Sequence, residues 1–231
     1  ARVGKDHPEH FKRPAELIDA LSSIRFTQPA AIDRLLLRVH AFGFHYLDIE
    51  FRENAEMFSC VVDEILSSQW LETIGLGQGR HYHELDERAR QAALEVALEG
   101  GAARTPAALW QEYLQRTTPI YTRKVEQYAG QDYIALMEQD PSYIRMHDAR
   151  NAVERFEMID RYRDRMKIHG IAEYTSALSA LEVLFLMKAA QVRDGIDIAL
   201  QPEDLAGAER TVATVHEVYE NPVYRQHLAT R

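Results

Sequence analysis

Cysteine is almost missing from this chain: Cys60 stands alone in 231 residues, so no internal disulfide can staple the fold. It lies among Met57, Val61, Val62, Ile65 and Leu66 at helical spacing, which predicts a buried thiol without chemistry of its own. Long apolar runs are missing too. No stretch reaches the ~18 uninterrupted apolar residues of a membrane span. The N-terminal Ala-Arg-Val-Gly-Lys-Asp-His has no apolar signal core, so the expectation is a cytoplasmic protein with no membrane partner. Positive charge is in short supply, with 27 Lys plus Arg against 36 Asp plus Glu and a net charge of -9. That balance excludes the phosphate-tracking surface of a non-specific nucleic-acid binder and makes any anion site a local one. Also lacking are a Gly-x-Ser-x-Gly elbow, a Cys-x-x-Cys pair and a phosphate-cradling glycine loop with lysine, which removes the common hydrolase, redox and nucleotide signatures. What remains is 46% apolar and 27% charged, a composition that buries a core, and a single domain over 1–231 is expected.

Periodicity supplies the elements. Apolar residues recur every three or four positions over Pro14 to Ile24 and Ala30 to His40, predicting two short amphipathic helices. Phe42 to Arg52 is aromatic and β-branched, and from Tyr46 it alternates Asp48, Glu50 and Arg52 with Leu47, Ile49 and Phe51, which predicts a strand with a charged end. A helix over about Asn54 to Leu71 follows, then the loop Gly75 to Arg80, then a helix over about Asp86 to Leu98. Thr105-Pro106 supplies a cap and first-turn proline for a helix ending near Arg116, and Pro119, Gly130 and Pro141 punctuate further helical pieces. Asp148 is placed as the cap of a long helix through Lys167, stopped by His169-Gly170. Ile171 to Thr175 reads as a second strand, Leu178 to Gln191 as an apolar helix and Gly195 to Leu200 as a third strand. Pro202 opens a helix to Tyr219, and a final helix follows Asn221-Pro222. Strands separated by helices imply parallel pairing and an α/β fold dominated by helices.

Several clusters have a chemical and a plain reading. Asp6, His7, Glu9 and His10, and again His81, His83 and Glu84, offer metal-ligand types, but at spacings that point imidazoles to different faces, which favours surface polarity. Gly75, Gly77 and Gly79 follow a helix, not a strand, and so read as a helix-terminating loop. Arg161, Arg163, Arg165 and Lys167 spread around a helix as a solvated face. The charged strand end, Asp48, Glu50, Arg52 and Glu53, is the place where parallel α/β folds collect active sites, and equally where an ion-pair cluster would sit.

Leu36-Leu37-Arg38-Val39-His40-Ala41-Phe42-Gly43, running into Leu47-Asp48-Ile49, resembles the phosphoenolpyruvate carboxylase run in which a "Leu-x-Arg-Val-x-x-Phe-Gly" helix end precedes "Leu-Asp-Ile-Arg-Gln". Phe11 to Leu17 precedes it in the family's order. Ala177 to Ala190 is similar to the family's helix after its "Ile-Ser-Met" strand, and Asp204 to Ala208 with Pro222 to Leu228 resembles the stretch after "Leu-Phe-Glu-Thr". The stretch from about 102 to 151 carries no counterpart and is expected to be an added helical region.

The resemblance implies part of a parallel β/α barrel, with about three of its eight strands, surrounded by many helices. It implies carboxylation of phosphoenolpyruvate with bicarbonate to oxaloacetate, aided by Mg2+ or Mn2+, in a homo-oligomer or with a completing protein segment. The chain ends before the family's metal-binding aspartate segment and mobile loop and begins after its catalytic histidine. The family's arginine after "Leu-Asp-Ile" falls on Glu50, or on Arg52 with a two-residue slip. The metal-binding glutamate falls on Leu200, with Glu203 the nearest carboxylate, and the aspartate of "Ser-Asp-Val-Leu" on Ser179. Leucine gives a hard cation no oxygen. Two further readings therefore stand beside carboxylation: a non-catalytic helical scaffold or interaction protein of this ancestry, and a small carboxylate or phosphate binder or divergent lyase using Arg52 as anion clamp with Asp48 or Glu50.

Overall fold

The computed structural model describes residues 16, 18–20, 51–100, 104–162, 168–174, 176–193, 196–202 and 205–229. The chain divides into two compact units, 1–49 and 50–231. In the first, the described residues are helical, and the two short helices and most of the first strand expected from the sequence lie outside the described residues.

The second unit opens with β1 (Phe51–Asn54), α1 (Ala55–Ile65) and α2 (Ser68–Thr73), then a 3-10 turn at Tyr82–Glu84 and α3 (Glu87–Glu99). Next come α4 (Pro106–Gln127), α5 (Tyr133–Gln139) and α6 (Pro141–Arg161). The order ends with β2 (Ile168–Ala172), α7 (Leu178–Ala189), β3 (Asp197–Gln201), α8 (Leu205–Glu220) and α9 (Pro222–Ala229). The strands form one parallel sheet in the order β1-β2-β3. The architecture is α/β and predominantly helical, as the alternation of the sequence implies. Among the described residues, no helix is long and apolar enough to cross a membrane.

The middle of the unit is α7. Leu178-Ser-Ala-Leu-Glu-Val-Leu-Phe-Leu-Met is apolar all round, and a helix of that kind must be covered on every side. It is: ten successive residues, Leu178 through Met187, are buried, with α1, α3, α4, α6 and α8 packed about it. The surrounding helices are amphipathic, and α1 turns Phe58, Val61, Val62 and Ile65 inward at helical spacing.

Four expectations are corrected. The helix from Asn54 breaks at Leu66, whose backbone is extended, and Ser67 caps a new helix by accepting from the Trp70 N–H at 3.2 Å. The helix from Thr105 runs past Arg116 and through Pro119 to Gln127. Burial of Leu109, Trp110, Tyr113 and Thr117 carries it to the proline, and Tyr121 beyond packs on a second small core of Tyr128, Leu136, Tyr143 and Ile144, offsetting the lost hydrogen bond. Asp148 is inside α6, where it accepts from the Tyr133 hydroxyl at 2.8 Å. The cap is Asp140, which accepts from the Tyr143 N–H at 3.2 Å ahead of Pro141. His169 and Gly170 lie within β2 instead of stopping α6, because the central strand takes hydrogen bonds from both neighbours: His169 pairs with Phe51 and Ile198, Gly170 with Arg52 and Ala199.

The glycine loop is a helix terminator. Leu76 and Gly77 N–H groups close on the Leu71 carbonyl at 2.9 and 3.1 Å. A Cβ on Gly77 would meet that of Leu71 at 2.8 Å, so the close return requires glycine there.

Candidate functional site at the strand ends

Parallel strands deliver their last residues to one edge, and β1 and β2 end side by side, Asn54 opposite Ala172. Asn54 does two things there. Its Oδ1 accepts from the Glu56 N–H at 2.7 Å, capping α1, and its Nδ2 donates to Glu173, the residue after β2. Glu173 turns away from the strand with φ 53, a left-handed backbone that side chains adopt at a cost. The ends of both strands are thereby tied beneath a cavity of about 390 Å3 whose far wall is the first turns of α7 and α3.

Glu182 lies in that wall. Only 1% of it is exposed, and its Oε1 accepts from Ser59 Oγ at 2.5 Å and from the Tyr82 hydroxyl at 3.0 Å. Burial pushes its carboxyl above the ordinary glutamate value, against the two hydrogen bonds and the charge of Arg90. Burial, and then the Glu182 charge, push Tyr82 well up, so its hydroxyl stays protonated and donates. Arg90 sits over the Tyr82 ring, 6.0 Å from its centroid, and its Nε is buried without a hydrogen-bond partner. This arrangement holds a proton or accepts one more donor. It does not resemble an anion clamp, since carboxylates outnumber the one guanidinium lining it.

A larger, open cleft of about 700 Å3 lies across α1, between the 3-10 turn and α4 and α6. Two pairs lie along it: Arg145 Nε meets Glu64 Oε1 at 2.7 Å and His83 Nδ1 meets Asp63 Oδ2 at 2.9 Å. His81 and His83 stack at 5.8 Å instead of converging. Cys60 opens onto this cleft, exposed, a correction to the buried thiol expected. It sits on the outer side of α1, one residue off the inward stripe. Partial burial first, then the carboxylates of Glu56 and Asp63, raise its thiol, which makes it a poor nucleophile.

Of the residues singled out in the sequence, Arg52 lies in β1 opposite Gly170, and Glu53 pairs with Arg155 of α6. Asp48, Glu50 and Glu203 lie outside the described residues, as do Asp6, His7, Glu9 and His10. Leu200 pairs with Ile171 in β3 and packs against the core. Ser179 is buried at the cavity wall. At the place where the resemblance puts a divalent ion, Leu200 supplies no ligand, and no three His, Cys, Asp or Glu converge among the described residues. The described residues do not fit that ion. Asn54, Tyr82, Arg90, Glu173 and Glu182 escaped the sequence reading. One signal was available: Glu182 is the single charge in the apolar run Leu178–Met187, and a lone carboxylate there is either buried at a cost or used.

Fold and site define a helical α/β protein of the parallel-sheet class, with a polar cleft at its strand ends. Residues 18–122 match the family model of phosphoenolpyruvate carboxylase, a match that runs into the helical stretch 102–151. A curated phosphoenolpyruvate carboxylase from Corynebacterium diphtheriae is 25% identical over 228 residues, 97% of this chain. The chain is similar to phosphoenolpyruvate carboxylase over these stretches, and it spans 22% of the length of that relative.

Proposed function

We propose that the protein takes part in carboxylation of phosphoenolpyruvate by bicarbonate, giving oxaloacetate and phosphate, as a scaffold-bearing portion of a phosphoenolpyruvate carboxylase barrel. The observation that supports this reading is the colinear match of nearly the whole chain to a fifth of the Corynebacterium diphtheriae enzyme, combined with adjacent strands that run parallel as a β/α barrel requires. In this reading the described residues frame the site. Metal ligands come from outside them, and Arg52, with Asp48 and Glu50, supplies a local contact to the anionic substrate.

A second reading, a non-catalytic scaffold of the same ancestry, is favoured by one observation. Leu200, where the resemblance puts a metal glutamate, is a partly buried apolar side chain packed against the core.

Titration of the purified chain with phosphoenolpyruvate and Mn2+, with a coupled oxaloacetate assay, tests the division of labour. The chain alone is expected to give no oxaloacetate. Turnover by the chain alone would show that it assembles a complete site and that the scaffold-bearing assignment is wrong.

A further inference from the structure

Helix α8 turns its more apolar side away from the protein. Gly207, Thr214 and Val218 are its buried residues, with Thr211 half-buried between them. The anchoring on that side is polar: the Tyr174 hydroxyl lies 2.6 Å from Thr211 Oγ1 and donates to the Gly207 carbonyl at 3.3 Å. On the other side Leu205, Ala208, Val212, Val215 and Tyr219 recur at steps of three and four, and at about 100° per residue they share an arc of about 80°. Leu205, Val212 and Tyr219 are 77%, 79% and 53% exposed. Tyr219 is held in place, its ring edge-on to that of Tyr224 at 6.2 Å. Single exposed apolar residues are ordinary, whereas five in a heptad row have the pattern of a helix-pair seam.

The flanks of the row select its occupant. Glu209, Glu217 and Glu220 stand on the exposed side of α8 with Arg210 as the one arginine or lysine of the helix, the reverse of the basic flank that an anionic lipid surface attracts. The row is instead complementary to itself run backwards. In an antiparallel pair, the register that seats Val212 of one copy against Val215 of the other sets Ala208, the smallest member of the row, opposite Tyr219, the largest. The same register brings the Glu209 carboxylate beside the His216 imidazole, twice by symmetry. A shift of one heptad either way sets Glu209 against Glu209 or His216 against His216, so charge picks the middle register. We propose that α8 is the interface of a homodimer in which two copies of this chain pair the helix antiparallel, with Val212 and Val215 at the centre of the seam. The interface stands whether or not the protein carboxylates phosphoenolpyruvate.

The test is sedimentation velocity of the full chain over about 1 to 200 μM, where a monomer–dimer equilibrium with Kd on the order of 10 μM is expected. One 16-residue helix per copy, about 24 Å long, makes an interface below about 1,200 Å2 in total, which places the dimer at the weak end. Val212→Glu puts a carboxylate from each copy into the seam and should weaken pairing at least about tenfold. Its site is exposed, so circular dichroism should report an unchanged fold. Glu209→Lys should weaken pairing about fivefold, and adding His216→Glu should restore it. Ile134→Glu, at a comparably exposed position on α5, should change nothing. A chain that stays monomeric up to about 200 μM overturns the proposal and leaves the row to a different protein segment. Dimerisation that survives Val212→Glu, or that Ile134→Glu weakens instead, places the interface elsewhere and also overturns it. Failure of His216→Glu to restore pairing in the Glu209→Lys background overturns the antiparallel pairing.

Discussion

Glu182 contributes to stability with a definite sign. Its carboxyl is raised by burial, so above the ordinary glutamate value, about 4.3, the folded protein keeps a proton that the unfolded chain has released. Stability therefore falls as pH rises from there through the raised folded value. Glutamine retains an acceptor for Ser59 and Tyr82 but has no charge to desolvate. In urea denaturation over about pH 4 to 7, Glu182→Gln should become progressively more stable relative to the parent as pH rises. Parallel stability curves would contradict the assignment. Asp140, the cap of α6, shows the opposite case. The Lys124 ammonium first, and then Ser142, hold its carboxyl well below the ordinary range, so its contribution is present above the unfolded value and is lost as pH falls.

At the scale of elements, the caps were legible and the lengths were not. Thr105 caps its helix as expected, accepting from the Ala108 N–H at 3.3 Å, and Asp86, where the sequence starts the next helix back, proves to be its cap, accepting from the Ala89 N–H at 2.9 Å. Asp140-Pro141 carries the same signal, but Asp148 drew the assignment because it precedes an apolar stripe. Pro119 misled in the other direction. A proline is a local fact, whereas the burial that carries α4 past it is tertiary: Arg150 stacks on Tyr121 at 4.4 Å and donates to Thr117 and Thr118 at 3.1 and 3.0 Å. The second strand begins at Ile168 instead of the expected Ile171 for a similar reason, since its parallel partners, Arg52 lying 118 residues before Gly170 and Ala199 later in the chain, leave no local trace. Pro119 is exposed and restores one helix hydrogen bond when replaced. Pro119→Ala should raise stability by about 2 kcal/mol, the interior proline penalty less the entropy proline removes from the unfolded chain. Chemical denaturation measures it, and a loss of stability would mean that α4 is bent there for packing.

For the molecule as a whole, three parallel strands joined by helices were readable from alternation and spacing, and the family resemblance from Leu36 to Ile49 and from Ala177 to Leu228 was readable from motifs. The candidate site was readable only in outline. The sequence pointed to strand ends, beside which the cavity opens, but Glu182, Tyr82 and Arg90 come from a buried helix, a 3-10 turn and α3, a hundred residues apart in the case of Tyr82 and Glu182. No spacing rule joins them. The reading of the protein as a scaffold-bearing portion of a carboxylase is most directly tested by exchange: this chain replaces the matching fifth of the Corynebacterium diphtheriae enzyme, and the chimaera is checked for parental elution and cooperative unfolding, then assayed for oxaloacetate. The account predicts bicarbonate-dependent turnover that requires Mg2+ or Mn2+. A chimaera that folds like the parent and makes no oxaloacetate would contradict it and leave the non-catalytic scaffold.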